Sequence, residues 1–282
     1  MLYDAHIHCG LGQPFSVKKP DSQELKDGLR QMFENYLALG IGSLRDGGDK
    51  WGVGLVAKEI AREFPIHFKS PIHGIYKSGC YGEFLGQSVD NANEACQLIE
   101  ELYRKKADFI KIILTGIMSF DDFGKTDPAQ FNLAELRKMI DRAHDLGLQT
   151  MIHANTPSAI KIAVEAGADT IEHGYSIDDA ALELLAQSQS IWVPTLAPFA
   201  NIAACPDHHA MAIYRSVSEK YFEGHQRAVK KAVDLGVKIA LGSDSGATLV
   251  PHGQGTLDEF RFCQLCGLSE EKLMETGRLL FA

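Results

Sequence analysis

The stretch Thr156-Pro157-Ser158-Ala159-Ile160-Lys161-Ile162-Ala163-Val164-Glu165-Ala166-Gly167-Ala168-Asp169-Thr170-Ile171-Glu172-His173-Gly174 holds one whole structural unit. Thr156 offers the side-chain acceptor of a helix N-cap. Pro157 suits the first helical position, where a missing N–H costs nothing. Gly167 supplies the left-handed residue that ends such a helix. The apolar run near 169–173 then reads as a strand that finishes in a histidine. The same helix–glycine–strand punctuation recurs at Leu39-Gly40-Ile41, Leu146-Gly147-Leu148 and Leu235-Gly236-Val237. Units of this kind, repeated from one end of the chain to the other, predict an α/β fold with a parallel sheet.

Working outward, strands are expected near residues 2–8, 41–46, 66–73, 108–114, 149–153, 169–173, 190–195 and 237–243. The segments between them read as helices. Leu133, Leu136, Ile140 and Ala143 recur at helical spacing within 131–146, and the longest helical stretch is 207–235. Eight strands each followed by a helix suit a (β/α)8 TIM barrel, and 282 residues suit one such domain spanning 1–282. A doubly wound open sheet is the alternative, but no GxGxxG fingerprint follows the first strand.

Apolar residues make up 45% and charged residues 23%, ordinary globular usage. The net charge of −9 argues against a nucleic-acid binder that tracks phosphates. No apolar run approaches the ~20 residues of a membrane helix. The start Met1-Leu2-Tyr3-Asp4-Ala5-His6 lacks the features of a signal peptide, so a cytoplasmic location is expected. Six cysteines are too sparse for a disulfide scaffold, and the lone Cys263/Cys266 pair reads as two helix residues with at least one packed inside.

Chemistry concentrates at the strand ends. His6 and His8 finish the first strand and, two apart, point the same way. Strand C-termini form the mouth of a barrel, where two neutral imidazoles suit a metal such as Zn2+. A polar strand end with two solvated histidines is the other reading. His153 and His173 close two successive strands, and Asp244 follows the last one. Asp244 by itself is also a good helix cap. Lys111 lies inside Phe109-Ile110-Lys111-Ile112-Ile113-Leu114, where an unpaired charge is costly. It is either salt-bridged, with Glu172 or Asp4, or converted by CO2 to a carbamate whose two oxygens can each hold a metal.

This ordered set of HxH, Lys, His, His and Asp resembles the amidohydrolase superfamily. Asp108-Phe109-Ile110-Lys111-Ile112, Ile152-His153-Ala154, Ala166–Gly174, Trp192-Val193-Pro194-Thr195-Leu196 and Gly236–Gly246 resemble its prolidase-like branch, which includes Xaa-Pro dipeptidases and lies near imidazolonepropionases. The resemblance implies a first metal held by His6, His8 and Asp244 and a second held by His153 and His173. Carbamylated Lys111 and a hydroxide would bridge them, and Asp244 would move the proton. Two divalent ions, Zn2+ foremost, would be the cofactors. Members usually carry a small β-sandwich; with HxH at residue 6 and Ala282 last, a bare barrel is expected. Thr115-Gly116-Ile117 and Gly242-Ser243-Asp244 replace the branch's Thr-Gly-Gly and Gly-Thr-Asp.

The implied function is hydrolysis of an amide or peptide-like C–N bond in a dipeptide or N-acyl amino acid. A cyclic amidase or lactonase is the alternative, and a metal-binding barrel without catalysis is a further one. The expected partner is a small molecule rather than nucleic acid or a membrane; oligomeric state is not legible. Arg45 is a candidate for a substrate carboxylate, with ordering of its own loop the competing role. His73 and Tyr76 are further substrate-side candidates, with Tyr81 and Tyr214 as other hydroxyl donors. His225 reads as structural.

Overall fold

The structure, a computed structural model, describes residues 1–12 and 22–281. The first elements are β1 (Leu2–Ile7), α1 (Gln23–Ala38), β2 (Ile41–Asp46), α2 (Val53–Ala61), β3 (His67–Lys69), β4 (Gly74–Lys77) and β5 (Gly86–Val89). Then come α3 (Ala92–Arg104), β6 (Phe109–Ile113), α4 (Leu133–Asp145), β7 (Gln149–Ala154), α5 (Pro157–Ala166) and β8 (Thr170–His173). The last are α6 (Asp179–Gln187), β9 (Ile191–Val193), α7 (Ala197–Ala203), α8 (Arg215–Asp234), α9 (Gln254–Leu265) and α10 (Glu270–Phe281). The local signals act as the sequence suggests. Thr156 Oγ1 accepts from Ala159 N at 3.1 Å, and Gly167 ends α5 at a φ of 93°. Asn132 and Glu135 close a reciprocal capping box on α4.

All ladder pairings are parallel, within the sheets β1-β2-β3 and β5-β4-β6-β7-β8-β9. Two seams join them. Asp108 N donates to Ser70 O at 3.0 Å, tying the end of β3 to the start of β6. The segment 237–245 lies between β9 and β1. Trp192 N donates to Lys238 O and Ala240 N to Trp192 O on one side. Ala5 N donates to Leu241 O, Asp244 N to His6 O and His8 N to Ser245 O on the other. Among the described residues the result is a TIM barrel, closed by β1, β2, β3, β6, β7, β8, β9 and 237–245.

Three expectations are corrected. The strand read over 66–73 is interrupted. Ile72 takes a φ of 70°, its N–H donating to Ser70 Oγ at 3.0 Å, and that hydroxyl is held by Asp46 at 2.8 Å. The chain then re-enters as β4, which pairs with β5 and β6 instead of β2. The run 237–243 closes the barrel without a regular ladder, because side chains of β1 replace backbone partners. Leu241 N donates to the Tyr3 hydroxyl at 3.0 Å and Ser243 N to Asp4 Oδ1 at 2.9 Å. Finally, the helix read over 207–235 starts at Arg215, after a 3-10 turn over Ala210–Tyr214.

Alternation along β1 sets the layers. Ala5 and Ile7 join the apolar clusters between barrel and helices, while His6 and His8 share the other face. Cys263 in α9 and Cys266 at its end are both buried.

Candidate metal and substrate site

At the C-terminal mouth the backbone turns sharply. His173, Thr195 and Asp244 follow three adjacent walls of the barrel and have φ values of 67°, 53° and 59°. Non-glycine residues held there cost about 1–3 kcal/mol each, and such residues cluster at functional sites.

Lone pairs converge on one point. His8 Nδ1 lies 3.2 Å from Gly48 O, which can only accept, so the proton sits on Nδ1 and Nε2 is free. His6 Nδ1 lies 2.5 Å from Glu172 Oε2, leaving its Nε2 free as well. His6 Nε2 and His8 Nε2 are 3.4 Å apart, and Asp244 Oδ1 is 3.7 Å from the first and 3.4 Å from the second. A tetrahedral ion with bonds of 2.0–2.1 Å separates its ligand atoms by about 3.3 Å. The triangle therefore fits a small divalent metal.

His153 and His173 lie beside this triangle. The His6 and His173 rings are 4.9 Å apart, and the His153 and His173 rings 4.6 Å. His173 Nδ1 meets the Thr195 hydroxyl at 2.7 Å, and His153 Nε2 meets Gly116 O at 3.2 Å. Burial pushes all four imidazoles down, with the Lys111 cation as a further cause: His8 and His153 to about 3, His6 and His173 well below the usual 6.5. They are neutral at neutral pH, the form a metal needs.

Lys111 is buried in β6, and its Nζ has no hydrogen-bond partner among the described residues. Burial lowers its pKa, against the pull of Glu172 and Asp244. Neither salt bridge open to it in the sequence forms: Glu172 turns to His6 and Thr170, and Asp4 to Ser243 and Thr256. Burial raises the Asp244 carboxyl, whose side chain keeps 16% exposure toward the cavity.

The constellation floors a cavity of about 420 Å³ lined by His8, Lys111, His153, His173 and Asp244. The three substrate-side candidates, Arg45, His73 and Tyr76, do not line this cavity. Arg45 is sealed inside the barrel at 0% exposure, 4.5 Å over the Phe109 ring. Its three guanidinium nitrogens have no hydrogen-bond partner among the described residues. His73 spends Nδ1 on Asp49 O at 2.7 Å. Tyr76 packs with Leu85 and Ile113, and Tyr81 is the tyrosine of that region that reaches the cavity. His225 is buried on α8, its Nε2 2.8 Å from Pro194 O.

Sequence reading missed Glu172 as the partner of His6, Tyr175 and Phe199 as cavity wall, and Asn155, whose Nδ2 lies 3.2 Å from His153 Nε2. Glu172 carried a signal: a carboxylate inside an apolar strand needs a partner. Tyr175 and Asn155 each follow a strand-end histidine by two residues. Phe199 carried none.

The amidohydrolase family pattern matches residues 2–278. An uncharacterized protein of Mycobacterium tuberculosis is 26% identical over 278 residues, covering 97% of this chain and 70% of its own length. Ochratoxinase of Aspergillus niger is 26% identical over 158 residues, covering 56% of this chain and 32% of its own. A crystal structure of a Xaa-Pro dipeptidase with methionine bound in its active site superposes with a TM-score of 0.82 at 24% identity, covering 99% of this chain and 74% of that one.

Proposed function

The chain belongs to the amidohydrolase family, and from that membership we propose that it is a binuclear metal-dependent hydrolase cleaving an amide or peptide-like C–N bond of a small substrate, a dipeptide or N-acyl amino acid. The observation that carries the reading is the triangle of His6 Nε2, His8 Nε2 and Asp244 Oδ1, 3.4 to 3.7 Å on a side, at the floor of a cavity.

His6, His8 and Asp244 would hold one ion, with Zn2+ suited to so many imidazoles, and His153 and His173 a second. Lys111 would join the two sites as a carbamate. Its depressed pKa supports this, since only the neutral amine adds CO2. Divalent metals there would lower the pKa of water and polarise a carbonyl.

The residues account for the remaining steps. Asp244 accepts the proton of the attacking water as the new C–O bond forms. It returns that proton to the leaving nitrogen as the C–N bond breaks. Glu172 keeps the His6 ring oriented, and Thr195 does the same for His173. Tyr81, 5.9 Å ring to ring from His153, stands over the floor where its hydroxyl can donate to the substrate carbonyl oxygen.

The test is metal content per chain after purification with bicarbonate, for the wild type and for Lys111→Ala. About two ions, with loss in the variant, is the expected result. One ion, indifferent to Lys111, overturns the bridged pair. Turnover of a dipeptide and N-acyl amino acid panel that vanishes in Asp244→Asn completes the case, and no turnover of any member counts against the substrate class.

A further inference from the structure

We propose that the substrate carries an aromatic or comparably large apolar group beside its scissile bond, and that Phe199 and Ile117 select for it. This rests on the hydrolase reading above and adds the substrate class.

The cavity of about 420 Å³ falls in the range of specific small-molecule sites, roughly 300–1,000 Å³. Its floor is polar, but its walls are not. Phe199 of α7 meets the Tyr175 ring edge-on at 4.6 Å and the Phe120 ring at 5.7 Å. Tyr175 in turn stacks on the His173 ring at 5.7 Å, so aromatic surface runs without a break from the metal-site imidazoles outward. Across the cavity Tyr81 and Phe84 pack edge-on at 5.6 Å.

Apart from the Tyr81 hydroxyl assigned above to the substrate carbonyl, the polar side chains beside the aromatic wall are already committed. Tyr175 donates its hydroxyl to Thr195 O at 2.8 Å and so presents only its ring. Asn155 gives Nδ2 to Gly116 O at 3.0 Å. Among the described residues that line the cavity, Lys111 on the floor is the only Lys or Arg. Beyond the reacting carbonyl, the walls therefore offer a ligand mainly apolar contact. The rim points the same way: Ile117 is 51% exposed and Phe84 36% exposed, and both line the cavity. Apolar surface left open at a cavity mouth marks a binding site, because water solvates it poorly until a ligand covers it.

The experiment measures kcat/KM of the metal-loaded protein for N-acetylglycine, N-benzoylglycine, N-(2-naphthoyl)glycine and N-acetylphenylalanine. These vary the acyl and the amine side separately. The expected result is a kcat/KM at least tenfold above that of N-acetylglycine for an aryl member of one series. Phe199→Ala should shrink that ratio. Ile117→Asp, at an exposed position where folding is not at stake, should shrink it through a rise in KM. Equal values across the panel, or a preference for N-acetylglycine, overturn the proposal and leave the hydrolase reading standing. If no member is cleaved, N-acyl amino acids are ruled out as the substrate class, and the chamber is judged by calorimetric binding of 2-naphthamide against acetamide. Binding of naphthamide alone, weakened by Ile117→Asp, sustains the proposal. Equal binding, or none, overturns it.

Discussion

His6 Nδ1 and Glu172 Oε2 lie 2.5 Å apart, both fully buried, on opposite sides of the 237–245 and β9 walls. One proton between them fixes which nitrogen of His6 faces the cavity. Glu172 is itself steadied by the Thr170 hydroxyl at 2.5 Å. A carboxylate behind a ligating imidazole raises its basicity and holds its ring. Glu172→Gln keeps the shape and removes the charge. Metal affinity, measured by competition with a chelator, is expected to fall by about 10–100-fold. Unchanged affinity would assign Glu172 to balancing the buried Arg45 and Lys111 charges instead.

Asp244 is the only carboxylate lining the cavity among the described residues. Asp244→Asn retains a ligand oxygen but cannot carry a proton. On the proposed mechanism kcat falls by about 10²–10⁴, the usual worth of a positioned acid–base group. The measurement is steady-state kcat at matched metal content. A variant that keeps its metal and its rate would rule Asp244 out as the proton carrier.

Glu259 couples stability to pH. It is fully buried on α9 and accepts from Ala197 N at 2.7 Å at the start of α7. Burial outweighs those favourable amides and raises its carboxyl from the usual 4.5 to about 8. The folded state thus holds this proton more tightly than the unfolded chain does. Its contribution is complete below pH 4.5 and is lost as pH rises to about 8, by about 1.4 kcal/mol per pH unit. Urea denaturation of wild type and Glu259→Gln across that window should show the steeper decline in the wild type. Parallel profiles would mean the carboxyl is not held neutral.

Gly277 tests the packing of α10 on β1. A Cβ there would run into the Tyr3 ring. That ring cannot swing away, because its hydroxyl donates to Leu273 O at 2.7 Å and accepts from Leu241 N at 3.0 Å. Gly277→Ala gains about 1 kcal/mol of helix propensity but overpacks a fixed ring, a cost of about 1–3 kcal/mol. A net loss of stability, read as a lower Tm, is expected; a higher Tm would show that α10 can shift outward.

The sequence by itself determined the repeating helix–glycine–strand order and the residues that finish each strand. Those depend on neighbours a few positions apart: a cap at Thr156, a left-handed Gly167, a period of two along His6-Ile7-His8. Parallel strands joined by helices then bring all their C-terminal ends to one side, so His6, His8, His153, His173 and Asp244 were legible as a group before any distance was known.

Only the tertiary structure decided what each remaining polar residue faces. Arg45 and Tyr81 are both near strand ends in sequence, yet Arg45 lies within the barrel below the site and Tyr81 lines the cavity. The irregular closure of the barrel by Tyr3 and Asp4 side chains was equally hidden, because it pairs residues some 240 positions apart. The aromatic wall joins Phe120 and Tyr175, from two separate loops, with Phe199 of α7. Contacts set by the closure of the barrel leave no local pattern, so the chemistry of the floor could be read from the chain and the shape of the chamber above it could not.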